Sequence, residues 1–327
     1  MIASGLVYAF LESTIEGKLI LITLFLASIF SWAVMVTKFR FLRFCQRQNA
    51  RFLDLFHQDR QPLRLFEADV RFEGSNIFEI YEAGADELIY QDAVASLYGR
   101  NSLCEIISRT SREVFIPLTV GGGLRSLEDI RAVLSAGADK VAINTAAISD
   151  PGLIREASRR FGSSTIVVAI EAGRQPDGSW LAFTDNGREH TGVDALQWAV
   201  QAEELGAGEI LATSIDREGT GEGFDLELCR KMTAAVRIPV IAHGGPGKTQ
   251  HVVDVVQQCH VSAVAVSSLL HYEAIRSIQT SASGTAEGNR EFLHSGRSVS
   301  HVQPCTMQQL KHSLLQAGAI CRMEPSP

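Results

Sequence analysis

Two glycine pairs and two hydroxyl residues recur at one spacing in this chain, and they are its clearest chemical signal. VFIPLTVGGGLRS at 114–126 aligns without gaps, at an offset of 122, with VRIPVIAHGGPGK at 236–248, so Gly122 and Gly123 match Gly244 and Gly245. The register continues to Thr145 of AINTAA and Ser267 of AVSSLL. A glycine pair just past a strand, with a hydroxyl residue just past the next strand, lets backbone N–H groups approach an anion closely and cradle it. Each half therefore reads as a phosphate clamp, and two clamps suit an elongated ligand with a phosphate at each end. A single glycine pair is equally well explained as a chain reversal, but a matched duplicate favours the clamp. Carboxylates add the means to move protons: Asp92, Asp216 and Glu218 each follow a short apolar run, where a barrel of parallel strands places ligand-binding groups.

Holding these residues at one mouth requires repeated βα units. From Ala85 onward, β-rich runs alternate with helical patterns, and the candidate strands are ELIYQDA, FIPLTVG, KVAINT, TIVVAIEA, EILATSID, IPVIAHG and SAVAVSS. SLEDIRAVLSAG and DALQWAVQAEELGAG have apolar residues at helical spacing and a closing glycine. Seven such strands predict a (β/α)8-type TIM barrel lacking one unit, over residues 85–276. Residues 277–304, rich in Ser, Gly and Thr, read as a flexible insertion, and 305–327 carry a last helix, TMQQLKHSLLQAG. The 327 residues are 46% hydrophobic with a formal charge of -7, which excludes a disordered chain and disfavours a nucleic-acid binder. Six cysteines without a C-x-x-C pair point to reduced thiols, not a zinc site.

The front, residues 1–84, is of a different kind. Nineteen uncharged residues at 19–37, LILITLFLASIFSWAVMVT, predict a helix of about 28 Å, long enough to cross a membrane. Lys38, Arg40, Arg43, Arg47 and Arg51 follow it directly, which places the barrel in the cytoplasm, tethered to the inner membrane. The stretch from FLESTIEGKLILI to FRFLRFCQRQNARFL, continuing to FEGSNIFEIYEAG, resembles the N-terminal part of TolQ and ExbB proton-channel proteins. That family implies further spans, and none of this length follows.

DELIYQDA, VFIPLTVGGGLRSLEDIRAVLSAGADKVAINTAAI, FGSSTIVVAIEAGR, TGVDALQWAVQAEELGAGEILATSIDREGT and IPVIAHGGPGK closely resemble the cyclase subunit of imidazole glycerol phosphate synthase, over about residues 82–273. The resemblance implies a lyase of histidine biosynthesis. It would use ammonia from a glutaminase partner, in a heterodimer, to convert a bisphosphorylated formimino ribulosyl intermediate to imidazole glycerol phosphate and an aminoimidazole carboxamide ribonucleotide. No cofactor and no metal are implied. Carried over by motif, Gly122, Gly123, Asn144 and Thr145 hold one phosphate, and Gly219, Gly245, Ser267 and Ser268 the other. Glu87, Lys140 and Glu209 match the charged residues around the ammonia entrance.

The family works with two aspartates. The second falls at Glu171, one methylene longer, and a displacement of about 1 Å predicts a loss of about a hundredfold in rate. The first belongs to an opening strand that has no counterpart here, unless RLFEADVRF at 64–72 substitutes for it and Asp69 supplies the carboxylate. His243 stands where the family has a small hydroxyl residue, beside the second clamp. The alternatives are the phosphoribosyl formimino isomerase of the same pathway, which shares the two-clamp barrel, and a membrane-tethered inactive barrel in a TolQ- or ExbB-like complex.

Overall fold

A computed structural model of the chain describes residues 84–92, 103–112, 116–280 and 301–322, with scattered helical positions between 18 and 48. The chain divides into two compact units, Met1–Asn76 with Ser283–Arg297, and Ile77–Ala282 with Ser298–Pro327. The strands of the second unit are β1 (Leu88–Gln91), β2 (Leu118–Gly121), β3 (Lys140–Ile143), β4 (Ile166–Arg174), β5 (Trp180–Thr184), β6 (Glu189–Asp194), β7 (Glu209–Ser214), β8 (Val240–His243) and β9 (Ala263–Val264). Its helices are α1 (Leu103–Ser111), α2 (Leu127–Ser135), α3 (Thr145–Ser149), α4 (Gly152–Phe161), α5 (Ala195–Leu205), α6 (Leu226–Ala235), α7 (Thr249–Cys259), α8 (Ser268–Thr280) and α9 (Met307–Gln316).

All seven runs read as strands from the sequence are strands, and they form one parallel path, β1-β2-β3-β4-β7-β8-β9. The path is that of a (β/α) barrel sheet. Among the described residues β1 and β9 end it, with no strand of the described chain before β1. Helix boundaries follow local chemistry. Ser126 and Asp129 form a capping box that starts α2, and Asp194 accepts from Leu196 and Gln197 N–H groups to start α5. Gly206, in the left-handed conformation, ends α5.

The central strands β3, β4, β7 and β8 are apolar on both faces because both are covered. Val141, Ile143, Ile166, Val168, Ile170 and Ile210 pack outward against Ile130, Val133, Ile154 and Trp198 of the helices. The residues between them, Ala142, Val167, Ala169, Leu211 and Ile241, form a separate inner layer. Each large side chain so buried contributes roughly 1.5–3 kcal/mol. The alternation then fixes the next inward residues toward the C-terminal rim as Asn144, Glu171, Thr213 and His243.

One element was not expected. Between β4 and α5 the chain forms an antiparallel hairpin, β5 on β4 and β6 on β5, turning through Asp185, Asn186 and Gly187 with positive φ. Its anchor is Trp180, 1% exposed, whose Nε1–H donates to Asp225 at 3.0 Å. The Arg174 guanidinium and the Lys231 ammonium lie 5.0 and 4.6 Å from the Trp180 ring centroid. At the far end of the sheet, the buried Lys311 of α9 donates to Asp86 just before β1, at 2.8 Å.

The membrane-crossing helix expected over 19–37 gains no support. No helix of the described residues is long and apolar enough to cross a membrane, and most of that segment lies outside them. RLFEADVRF, with Asp69, also lies outside the described residues. The insertion expected over 277–304 begins inside α8, and 281–300 lie outside the described residues.

Candidate active site

The glycine turns sit at the C-terminal ends of β2 and β8, on the same rim of the sheet. Gly122 and Gly123 have φ of +102° and +69°, and Gly244 and Gly245 have φ of +89° and +107°. The repeat seen in the sequence is thus a repeat of backbone conformation. Packing accounts for part of it: a Cβ on Gly122 would lie 2.4 Å from the Asp92 carbonyl oxygen, and one on Gly245 would lie 2.3 Å from the Gly223 carbonyl oxygen. Gly219 has φ +75° with no atom within 4 Å of the position a Cβ would take, so its glycine answers to open space and backbone conformation alone.

A cavity of about 330 Å³ opens beside the first turn, lined by Asp92, Gly122, Gly123, Asn144, Thr145 and Glu171 together with Gln91, Asp185 and Asn186. It brings the first set of expected phosphate residues within one space with the expected catalytic carboxylate. Asn144 spends its amide on the Phe183 carbonyl at 3.2 Å, and its buried Oδ1 has no partner among the described residues. The Thr145 hydroxyl accepts from the Asp185 N–H at 3.3 Å. Both residues therefore also hold the hairpin over the mouth. The second set, Gly219, Gly245, Ser267 and Ser268, lies on the other half of the rim and does not line this cavity.

Glu171 is 9% exposed, and its Oε2 accepts from the Gly187 N–H at 2.7 Å. Burial pushes the carboxyl above its ordinary pKa, the Gly187 N–H opposes this, and the charges of Glu218 and Asp185 add to the rise. The hairpin turn is thus what buries and seats the carboxylate. Asp216 is occupied with the Arg174 N–H at 2.8 Å, which ties β7 to the end of β4, a structural use the sequence did not reveal. His243 Nδ1 lies 3.0 Å from the Thr213 hydroxyl, and burial holds the imidazole below its ordinary pKa against the pull of Glu218.

At the opposite end of the strands, Lys140 Nζ donates to Glu87 at 3.0 Å and to Glu209 at 2.7 Å. Burial works against its charge, but the two carboxylates outweigh it and hold the pKa above the usual lysine value. The three residues named from the sequence for this face are joined in one cluster.

The sequence reading passed over Gln91, Asp185, Gly187 and Thr213. Asp185 and Gly187 belong to the unforeseen hairpin, while Thr213 follows the inner residue Leu211 by two and was open to detection from alternation alone.

Comparison with known proteins fits this arrangement. The histidine biosynthesis protein family matches residues 70–276, more than half of the chain; the match takes in FEGSNIFEIYEAG at 72–84, and the rest of the likeness to TolQ and ExbB proteins gains no support. The chain is also similar to the imidazole glycerol phosphate synthase subunit HisF of Legionella pneumophila, with 60% identity over 170 residues, which are 52% of this chain and 80% of the relative. With parallel strands, paired glycine turns and a buried rim carboxylate in place, the chain belongs to the histidine biosynthesis protein family.

Proposed function

We propose that this chain is a cyclase of the imidazole glycerol phosphate synthase type. It closes an imidazole ring on a bisphosphorylated formimino ribulosyl aminoimidazole carboxamide ribonucleotide, using ammonia, and releases the carboxamide ribonucleotide. The observation that carries the reading is Glu171, a carboxyl whose pKa burial raises, seated by the Gly187 N–H on the rim that bears both glycine turns. Similarity to the Legionella synthase subunit supports the same reaction class.

In this reading Gly122, Gly123, Asn144 and Thr145 bind one phosphate and Gly219, Gly245, Ser267 and Ser268 the other, through backbone N–H groups and hydroxyls. Asp92 and Glu218 border the reacting centre, and Glu171 exchanges protons with it, because ring closure with loss of a nitrogen leaving group needs protons both removed and delivered. A glutaminase subunit docks at the opposite face, where Glu87, Lys140 and Glu209 surround the ammonia entrance.

The test is direct. The purified chain, mixed with the bisphosphate and an ammonium salt at pH 8, is expected to form imidazole glycerol phosphate, detected by chromatography. No product and no heat of substrate binding from folded protein would overturn the assignment.

A further inference from the structure

We propose that His243 is a second acid–base group of this mouth, working with Glu171 across Thr213. The inference rests on the cyclase reading above and supplies the partner that reading lacks.

Strand register brings three side chains into one row. In the parallel ladders Glu171 pairs with Thr213, and Thr213 pairs with His243, so the three stand in one row on consecutive strands β4, β7 and β8. Each follows by two a residue of the inner apolar layer, Ala169, Leu211 and Ile241, so all three point inward. Strands about 4.8 Å apart put the two outer residues of the row about 10 Å apart at the backbone. That separation leaves room for a reacting carbon and nitrogen between two inward side chains.

The imidazole is also oriented. Its Nδ1 lies 3.0 Å from the Thr213 hydroxyl, which tilts the ring toward β7 and Glu171 and away from β9, the strand that leads to Ser267 of the second glycine half. Nε2 has no hydrogen bond among the described residues and is the nitrogen left for a ligand. An Nδ1–H donating to Thr213 leaves Nε2 as an acceptor.

Glu218 completes the group, because its charge acts on both Glu171 and His243. It raises the proton affinity of both, whereas burial, the larger cause at each, raises that of Glu171 and lowers that of His243, so burial leaves Glu171 the better proton holder and His243 a neutral acceptor, with Glu218 strengthening His243 as a base. The groups facing His243 are Thr213 from β7 and Glu218 from the turn after it, with Glu171 of β4 and Asp185 of the hairpin turn beyond. The nearby Arg217 guanidinium is paired outward with Glu222 at 3.1 Å.

The proton steps balance. As the ammonia-derived nitrogen bonds to carbon, it gives a proton to Nε2 of His243. As the C–N bond to the ribonucleotide breaks, its electron pair stays on the departing nitrogen, which takes a proton from the Glu171 carboxyl. The same nitrogen then bonds to the carbonyl carbon, whose oxygen leaves as water with the nitrogen's two remaining protons, and a proton shift from the ring CH2 to nitrogen gives the imidazole. The imidazolium and carboxylate formed in the first exchange reset when one proton returns through solvent.

Ammonium-driven turnover of the full chain tests this with wild type, H243A, H243N and E218Q. Loss of a general base predicts that kcat in H243A and H243N falls by about 10²–10⁴-fold with KM within a few-fold. The limb of the pH profile belonging to the base disappears, and added imidazole partly restores H243A. Independently of activity, histidine NMR is expected to show the His243 pKa falling further in E218Q. Wild-type turnover with H243N kcat within threefold and an unchanged pH profile overturns the role of His243 alone. A folded wild type that binds the bisphosphate but does not turn it over overturns the cyclase reading and this inference together.

Discussion

Replacing Glu171 by glutamine separates what this side chain does for the fold from what it does for protons. The Gly187 N–H reaches Oε2 at 2.7 Å, and glutamine keeps both the volume and an oxygen for that donor, so the hairpin stays seated. What E171Q removes is a charge that burial opposes first and that Glu218 and Asp185 oppose further. Because the folded pKa is raised, the native state keeps its proton to higher pH than the unfolded chain. Stability therefore falls as pH rises from the unfolded carboxylate value of about 4.3 up to the folded value, and the penalty persists above it. E171Q abolishes that slope, so its Tm equals the wild type below pH ~4 and exceeds it at pH 7. Activity moves the other way. Losing proton exchange costs about 10²–10⁴-fold in kcat, or roughly 2.7–5.4 kcal/mol of barrier. E171D is the companion. Its carboxyl retracts by about 1.5 Å, so the contact with Gly187 lengthens beyond hydrogen-bonding distance and a bond worth roughly 0.5–1.5 kcal/mol is lost. Calorimetric melts from pH 4 to 8, together with ammonium-driven turnover, read both arms. An E171Q enzyme that turns over within threefold of wild type, or one that melts below wild type at pH 7, refutes the reasoning.

Four further substitutions follow from the same geometry. G122A drives a Cβ to 2.4 Å from the Asp92 carbonyl at φ +102°, and urea melts are expected to show a loss above about 2 kcal/mol, whereas G219A, at φ +75° with open space, costs about 1 kcal/mol and instead raises KM about tenfold. K140M leaves Glu87 and Glu209 facing each other without a cation and destabilises by about 1–3 kcal/mol. Since the Lys140 pKa is raised, the wild-type advantage in urea melts is full at pH 7 and vanishes only as pH rises past about 10.4 through the folded value. W180A removes the buried anchor of the hairpin and is expected to cost roughly 3–5 kcal/mol by thermal melt, with a fall in kcat as Glu171 loses its cover.

The parallel strands were legible because buried strands of this kind are short apolar runs bounded by glycine and charge, and the capped helices α2 and α5 carried their own start and stop residues. The repeat of glycine turns was legible as well, since left-handed backbone narrows the choice of residue. The hairpin was missed although Asn186-Gly187 is a strong turn signal. Its strands have only five and six residues, and β6, EHTGVD, has no buried residue to mark an alternation. The direction of Glu171 could not be read from its own strand, because β4 is apolar on both sides and only the division into inner and outer layers shows which residues face the mouth. For the same reason the row Glu171, Thr213, His243 is invisible until ladder register aligns three distant segments.

The inner layer gives these positions a common logic. Ala142, Val167, Ala169, Leu211 and Ile241 separate the Lys140 cluster at one end of the strands from Glu171 and His243 at the other, and none of them offers a polar side chain to a charge. An ammonium ion crossing such a layer would surrender its hydration without compensation, whereas neutral ammonia loses far less. On the functional reading proposed here, deprotonation must precede passage and proton transfer must resume on the far side. On that reading the two ends have different parts: the Lys140 ammonium with its two carboxylates lies below, a net-negative cluster that draws an ammonium ion to the entrance, and Glu171 and His243, which burial biases to hold and to accept a proton, lie above. On the proposed function the two ends are parts of one device, and the apolar layer between them bars a charged ion while passing neutral ammonia.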